Sequence, residues 1–144
     1  MAWDPVPGRP DPVLPDGVAG FGLPGLADRL GEIADRFFAE PSAALGVLGV
    51  TGTNGKTTVA WLLAGALDAM GAASGVIGTL GAGRPGSLRP SGFTTPDVIE
   101  VHRTLARLRD AGARWAAMEV SSHALDQGRV AGVRFRAAAF TNLS

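Results

Sequence analysis

Residues 47–58, Val-Leu-Gly-Val-Thr-Gly-Thr-Asn-Gly-Lys-Thr-Thr, decide the fold. Val47 to Val50 is a short apolar run of strand length. From Thr57 to Met70 the spacing predicts a helix, with Val59, Leu62, Leu63, Ala66, Leu67 and Met70 recurring three and four residues apart. Between them lies Gly52-Thr53-Asn54-Gly55-Lys56-Thr57-Thr58. A strand that runs through a glycine turn into a helix N-terminus points several backbone N–H groups at one spot, as phosphate oxygens require. Gly52 and Gly55 permit the close approach. Lys56 can reach the β- and γ-phosphates of a nucleotide, and Thr57 can place its hydroxyl on magnesium. Val50 stands where the commoner form of this loop has its first glycine, so the loop is the shorter Gly-x-x-Gly-Lys-Thr variant. An ATP site is expected.

Outward from this loop the chain alternates strands and helices. Gly75 to Gly78 reads as a second strand after the cap glycine Gly71, Trp115 to Val120 as a third, and Phe135 to Phe140 as a fourth. Thr95-Pro96-Asp97 predicts a helix start with threonine as N-cap and proline first inside; Val98, Val101, Leu105 and Leu108 form its apolar stripe and Gly112 ends it. Gly81 to Gly92 lacks periodicity and is expected to be an exposed loop. The pattern implies an α/β fold, a mostly parallel sheet flanked by helices with a phosphate-binding loop. Before it, Met1 to Pro24 holds six of the ten prolines and is expected to be irregular. Leu26 to Phe38 is a helix with Leu26, Leu30, Ile33, Phe37 and Phe38 on one face, and Pro41-Ser42 breaks it. Residues 1–45 are thus an irregular start with a helical remnant, and residues 46–144 are the nucleotide-binding unit.

Bulk properties narrow the function. Thirteen basic and thirteen acidic side chains balance, so nothing favours nucleic acid or an acidic membrane surface as partner. The absence of cysteine excludes disulfides, thiolate metal sites and a cysteine nucleophile. No apolar run suffices to span a membrane, and no signal-peptide pattern opens the chain, so a cytoplasmic protein is the default expectation.

A second polar cluster, Met118-Glu119-Val120-Ser121-Ser122-His123, follows the third strand. Ligands of open parallel sheets bind beyond the carboxyl ends of the strands, which puts Glu119 on the rim of the phosphate loop, where a magnesium-binding carboxylate is useful. Ser121, Ser122 and His123 can face a substrate; equally, a serine can cap a helix there while His123 is partly buried. Thr94 and Thr95 either hold an anionic substrate or merely open a helix. Gln127 and Arg129 lie in a glycine-containing loop where Arg129 can pair with a carboxylate or phosphate, or stay solvated. Trp61 and Trp115 read as core, and His102 as a surface residue. No nucleophile-elbow pattern surrounds the serines, which argues against a serine hydrolase.

Together the segments Val50–Thr58 (VTGTNGKTT), Thr94–Asp97 (TTPD), Met118–Leu125 (MEVSSHAL), Gln127–Val130 (QGRV) and Phe140–Ser144 (FTNLS) resemble the Mur ligases, the ATP-dependent amide-forming enzymes of peptidoglycan assembly. The MurE type is the most similar; it adds a diamino acid to UDP-N-acetylmuramoyl-L-alanyl-D-glutamate. The resemblance implies ATP phosphates on Gly52, Thr53, Asn54, Gly55, Lys56, Thr57 and Thr58, and Mg2+ at Thr57 and Glu119. It implies the muramoyl-dipeptide on Thr94, Thr95, Ser121, Gln127 and Arg129. Lys56 and Glu119 would be the catalytic pair, and the partners would be that dipeptide and a diamino acid, meso-diaminopimelate or lysine. The chemistry would run through an acyl phosphate.

The resemblance covers Leu26 to Ser144 and only part of such an enzyme. A fragment is therefore expected, inactive and poorly soluble alone. Two alternatives stay open: a stand-alone nucleotide-binding module, and a ligase resembling folylpolyglutamate synthetases.

Overall fold

The computed structural model describes residues 1–90 and 92–144. It opens with β1 (Ala2–Trp3), β2 (Phe21–Gly22), α1 (Leu26–Phe37) and α2 (Pro41–Ala44). There follow β3 (Gly46–Thr51), α3 (Lys56–Ala69), β4 (Ser74–Gly78) and the hairpin β5 (Gly81–Arg84) and β6 (Ser87–Arg89). The chain continues through α4 (Val98–Asp110), β7 (Trp115–Glu119), α5 (Ser122–Asp126) and β8 (Phe135–Phe140). Six strands form one sheet in the order β6-β5-β4-β7-β3-β8. β4, β7, β3 and β8 are parallel, while β5 and β6 add antiparallel at one edge.

Alternation along the central strands divides the core in two. Val47, Ile77, Ala116 and Met118 point to the face covered by α4, through its Val101, Leu105 and Leu108. Val50, Val76 and Ala117 point to the opposite face, against Ala60 and Ala64 of α3. Such strands, buried on both sides, read as continuous apolar runs, which is why they were legible. Register carries this order to the rim: Val50 pairs with Glu119 and Ile77 with Met118, so β3, β4 and β7 all end at one edge.

Several sequence expectations are corrected. Residues 81–92 are not a plain loop, since Gly81–Arg84 and Ser87–Arg89 pair as a hairpin and extend the sheet. Its glycines and a single large apolar residue, Leu88, hide the strand alternation. Met1 to Pro24 contains a two-stranded parallel sheet, β1 on β2, tied by the Trp3 indole donating to Asp11. On α3 the buried stripe is Ala60 and Ala64, whereas Leu62 and Met70 are exposed; small side chains let this helix lie close on the sheet. On α1 the inner face is Gly31, Ala34 and Asp35, and Ile33 and Phe37 are exposed. α4 is capped by Asp97, whose side chain accepts from Glu100 N at 2.9 Å, and not by Thr95. Trp61 and Trp115 are half-buried, Trp61 against the core. Among the described residues no helix is long and apolar enough to cross a membrane.

Candidate functional site

The loop between β3 and α3 turns on Gly52, at φ 127°, and Gly55, at φ 82°. Both values lie in the region that costs glycine little and other residues much. Gly52 has a second reason to be glycine: a Cβ there would stand 2.9 Å from Asn142 O. α3 starts at Lys56, so the free N–H groups of its first turn open toward the loop. The Lys56 ammonium folds over it and donates to Gly52 O at 2.6 Å and Thr53 O at 2.9 Å.

The segment after β8 braces the same loop. Thr53 N donates to Asn142 O at 2.9 Å, Asn54 N to Asn142 Oδ1 at 3.1 Å, and the Thr141 hydroxyl to Asn54 O at 2.7 Å. The amides of Thr53 and Asn54 are therefore engaged within the chain. Those left to meet a phosphate belong to Gly55 and the first turn, Lys56, Thr57 and Thr58.

Glu119 ends β7 and is 1% exposed. Its Oε2 accepts from the Thr57 hydroxyl at 2.9 Å and the Thr79 hydroxyl at 3.2 Å, and its Oε1 from Thr79 N at 2.9 Å. The Thr79 hydroxyl also bonds Thr94 Oγ1 at 3.1 Å. Gly78 makes room for the carboxylate, because a Cβ there would stand 2.7 Å from Glu119 Cδ. One chain of polar contacts thus runs from the phosphate loop through Glu119 to Thr94.

The second half of the site adjoins it. The Thr95 hydroxyl, 1% exposed, donates to Glu119 O at 2.9 Å and accepts from Ser121 N at 3.2 Å. Ser121 caps α5 by accepting from Ala124 N, which leaves His123 exposed rather than partly buried. Arg129 is not a freely solvated surface side chain. Its Nη1 donates to Thr95 O at 2.9 Å, its Nε donates to Gln127 Oε1 at 2.8 Å, and its guanidinium lies 5.8 Å over the Phe93 ring. A cleft of about 380 Å³ is lined by Phe93, Asp97, Val98, Gln127 and Arg129. A larger one of about 610 Å³, between the hairpin and α4, lies away from the loop against Arg84, Arg89, Glu100 and Arg107.

Lys56, Thr57, Glu119, Thr94, Thr95, Ser121, Gln127 and Arg129 are therefore joined along one rim of the sheet. Thr79, Gly78, Thr141 and Asn142 were missed as site residues. Thr79 directly follows a strand, as Glu119 ends one, and the rule that ligands gather at strand carboxyl ends would have found it. Thr57 and Glu119 present oxygen donors to one point, which fits a small hard cation held by few carboxylates plus substrate phosphates. Among the described residues no group of three or more His, Cys, Asp or Glu side chains could hold a metal by itself.

Comparison with known proteins accords with this geometry. The family model of the Mur ligase middle domain matches residues 50–144. The chain belongs to the Mur ligase family. It is 57% identical over 133 residues to the UDP-N-acetylmuramoyl-L-alanyl-D-glutamate--2,6-diaminopimelate ligase of Xanthomonas campestris pv. campestris (strain 8004), covering 92% of this chain and 26% of that protein. To the ligase of the same description from Ectopseudomonas mendocina (strain ymp) it is 60% identical over 120 residues, 83% of this chain and 25% of the relative. A solved structure of such a ligase is similar with a TM-score of 0.77 and 36% identity, over 89% of this chain and 26% of that chain. This Mur ligase chain thus spans about a quarter of the length of the relatives it matches. The solved ligase structure shares the α/β fold of this chain.

Proposed function

We propose that this chain supplies the ATP-phosphate and muramoyl-dipeptide side of a MurE-type ligase, cytoplasmic like its substrates. Residues 1–45 are then the end of an upstream domain, and residues 46–144 part of the central one. The observation that carries the reading is the continuous contact from Thr57 through Glu119 and Thr79 to Thr94. It puts a phosphate loop and a substrate rim within one polar network, as phosphoryl transfer between two bound molecules requires. That the relatives are named for 2,6-diaminopimelate favours this diamino acid over lysine.

In the first step a substrate carboxylate oxygen bonds the γ-phosphorus of ATP while the bond to the β-γ bridging oxygen breaks. ADP leaves and an acyl phosphate forms. In the second, the amine nitrogen of the diamino acid attacks the acyl carbon, phosphate departs and the nitrogen gives up a proton. Lys56 swings from Gly52 O and Thr53 O to the phosphate oxygens, so binding exchanges two carbonyl acceptors for charged ones. Its work is positioning and charge stabilisation. Thr57 and Glu119 would hold Mg2+, which supplies further neutralisation of phosphate charge. Arg129, steadied by Thr95 O, Gln127 and Phe93, would bind an anionic group of the dipeptide, with Thr94, Thr95 and Ser121 beside it.

Lys56→Ala tests the phosphate assignment. Titration calorimetry with ATP and magnesium on the 144-residue chain should show affinity reduced by about a hundredfold, roughly the worth of one or two charge-assisted hydrogen bonds. Unchanged affinity would remove the basis of the ATP site.

A further inference from the structure

His102 was expected at the surface. It is instead 0% exposed, in the middle of α4, between α1 and the turn that carries Arg129. Its Nε2 lies 2.8 Å from Ala131 O. A carbonyl only accepts, so Nε2 holds the hydrogen and donates it. Its Nδ1 faces Asp35 Oδ1 of α1 at 3.5 Å, and neither of these two buried atoms makes a hydrogen bond. The carboxylate of Asp35 also lies 3.8 Å from the Arg134 guanidinium.

The place where His102 donates matters more than its burial. Residues 128–133 form no helix or strand; Gly128 N and Arg129 N are tied back to α5 through Leu125 O at 3.1 Å and Ala124 O at 2.9 Å. Beyond them the turn is held by Ala131 N to Gly128 O at 3.0 Å, Val133 N to Val130 O at 3.1 Å and the packing of Val130 and Val133 on the core. Above them α1 comes so close that a Cβ on Gly31 would stand 2.6 Å from Ala131 O, and one on Gly132 would stand 2.8 Å from Gly31 O. The Ala131 carbonyl is thus pressed under α1 with His102 as its donor. Two residues earlier, Arg129 reaches across to Thr95 O. Without the imidazole this carbonyl loses its side-chain donor, and the turn that follows Arg129 loses its tie to α4.

We propose that His102 is a positioning residue for substrate. Packed under the upstream helix α1, it pins the 128–133 turn and so the direction of the Arg129 guanidinium toward the carboxylate or phosphate of the muramoyl-dipeptide. The inference rests on Arg129 as a ligand of that substrate. It gives the helix before the nucleotide-binding unit a part in substrate affinity, with no contact to the nucleotide.

The test compares the 144-residue chain with His102→Ala, His102→Gln and Arg129→Ala. Amide exchange read by mass spectrometry, and affinities for UDP-N-acetylmuramoyl-L-alanyl-D-glutamate and for ATP with magnesium, are measured on each. In His102→Ala the 128–133 amides should exchange at least tenfold faster and the dipeptide should bind about tenfold more weakly. ATP affinity should stay within twofold. His102→Gln keeps an N–H donor at the same reach and should restore both readouts to within about threefold, which general loss of packing would not allow. Unchanged exchange at 128–133 in His102→Ala overturns the proposal, as does equal weakening of ATP and dipeptide. Dipeptide binding by Arg129→Ala as tight as in the parent would instead refute the substrate role of Arg129. The exchange readout, which needs no substrate, would still judge the pinning of the turn.

Discussion

Replacing Glu119 separates its shape from its charge. The carboxylate accepts one backbone bond, from Thr79 N to Oε1, and two hydroxyl bonds, from Thr57 and Thr79 to Oε2. In Glu119→Gln the amide oxygen can keep the backbone bond while the NH2 takes the other position. Both hydroxyls can rotate to accept from it, since a hydroxyl is donor and acceptor alike. All three contacts survive, and the cost should stay near 1 kcal/mol, the difference between bonds to charged and to neutral groups. Glu119→Ala instead leaves a buried N–H and two hydroxyls without their acceptor. Unmade buried bonds cost about 1–3 kcal/mol each; hydroxyl rearrangement and the relieved desolvation of the carboxylate offset part, giving a net loss of about 3 kcal/mol. For a domain of this size that lowers Tm by about 10 °C, against about 3 °C for glutamine. Differential scanning calorimetry reads both. Calorimetry with ATP in the presence and absence of magnesium should show the magnesium-dependent gain lost in Glu119→Gln, although the fold is kept. If glutamine melts as low as alanine, charge and not hydrogen-bond geometry holds the rim together, and the reasoning fails.

Two other substitutions probe the same rim from different sides. Gly78→Ala forces a methyl into the space of the Glu119 carboxylate, and overpacking of this kind costs about 1–3 kcal/mol. It should reproduce the magnesium defect, and retained magnesium dependence by calorimetry would count against the packing argument. Asp97→Ala removes the side-chain acceptor of Glu100 N and should cost about 1 kcal/mol of stability, leaving ATP affinity untouched. Thermal unfolding checks it; an unchanged Tm would mean that another residue caps α4.

The legible parts of the molecule are those whose causes lie close together in the chain. Gly52, Gly55 and Lys56 sit within a few residues, and any chain that places them between an apolar run and a helix bends there. The central strands β3, β4 and β7 announced themselves because burial on both faces favours apolar residues in succession. Errors arose where the deciding neighbour was distant or small. Thr95 looked like a helix cap, yet its hydroxyl is used by Glu119 O, 24 residues away, and Asp97 caps the helix instead. The stripe on α3 was read through its large side chains, but the sheet admits only Ala60 and Ala64 at closest approach. The hairpin at residues 81–89 was hidden by glycines, which carry no alternation.

From sequence alone came the phosphate loop, the α/β class, the family resemblance and the residues of the rim. The loop and the class rest on local spacing, and the rim residues on what the family resemblance implies; both are written in the chain. Tertiary structure alone decided how those residues are held. Thr79 and Gly78 shape the seat of Glu119, Asn142 occupies the amides of Thr53 and Asn54, and His102 turns inward to Ala131 O. These contacts join residues 29 to 89 positions apart, or depend on the room a missing Cβ leaves, as at Gly78. Neither leaves a periodic trace, because a partner across the fold is chosen by packing and not by distance along the chain.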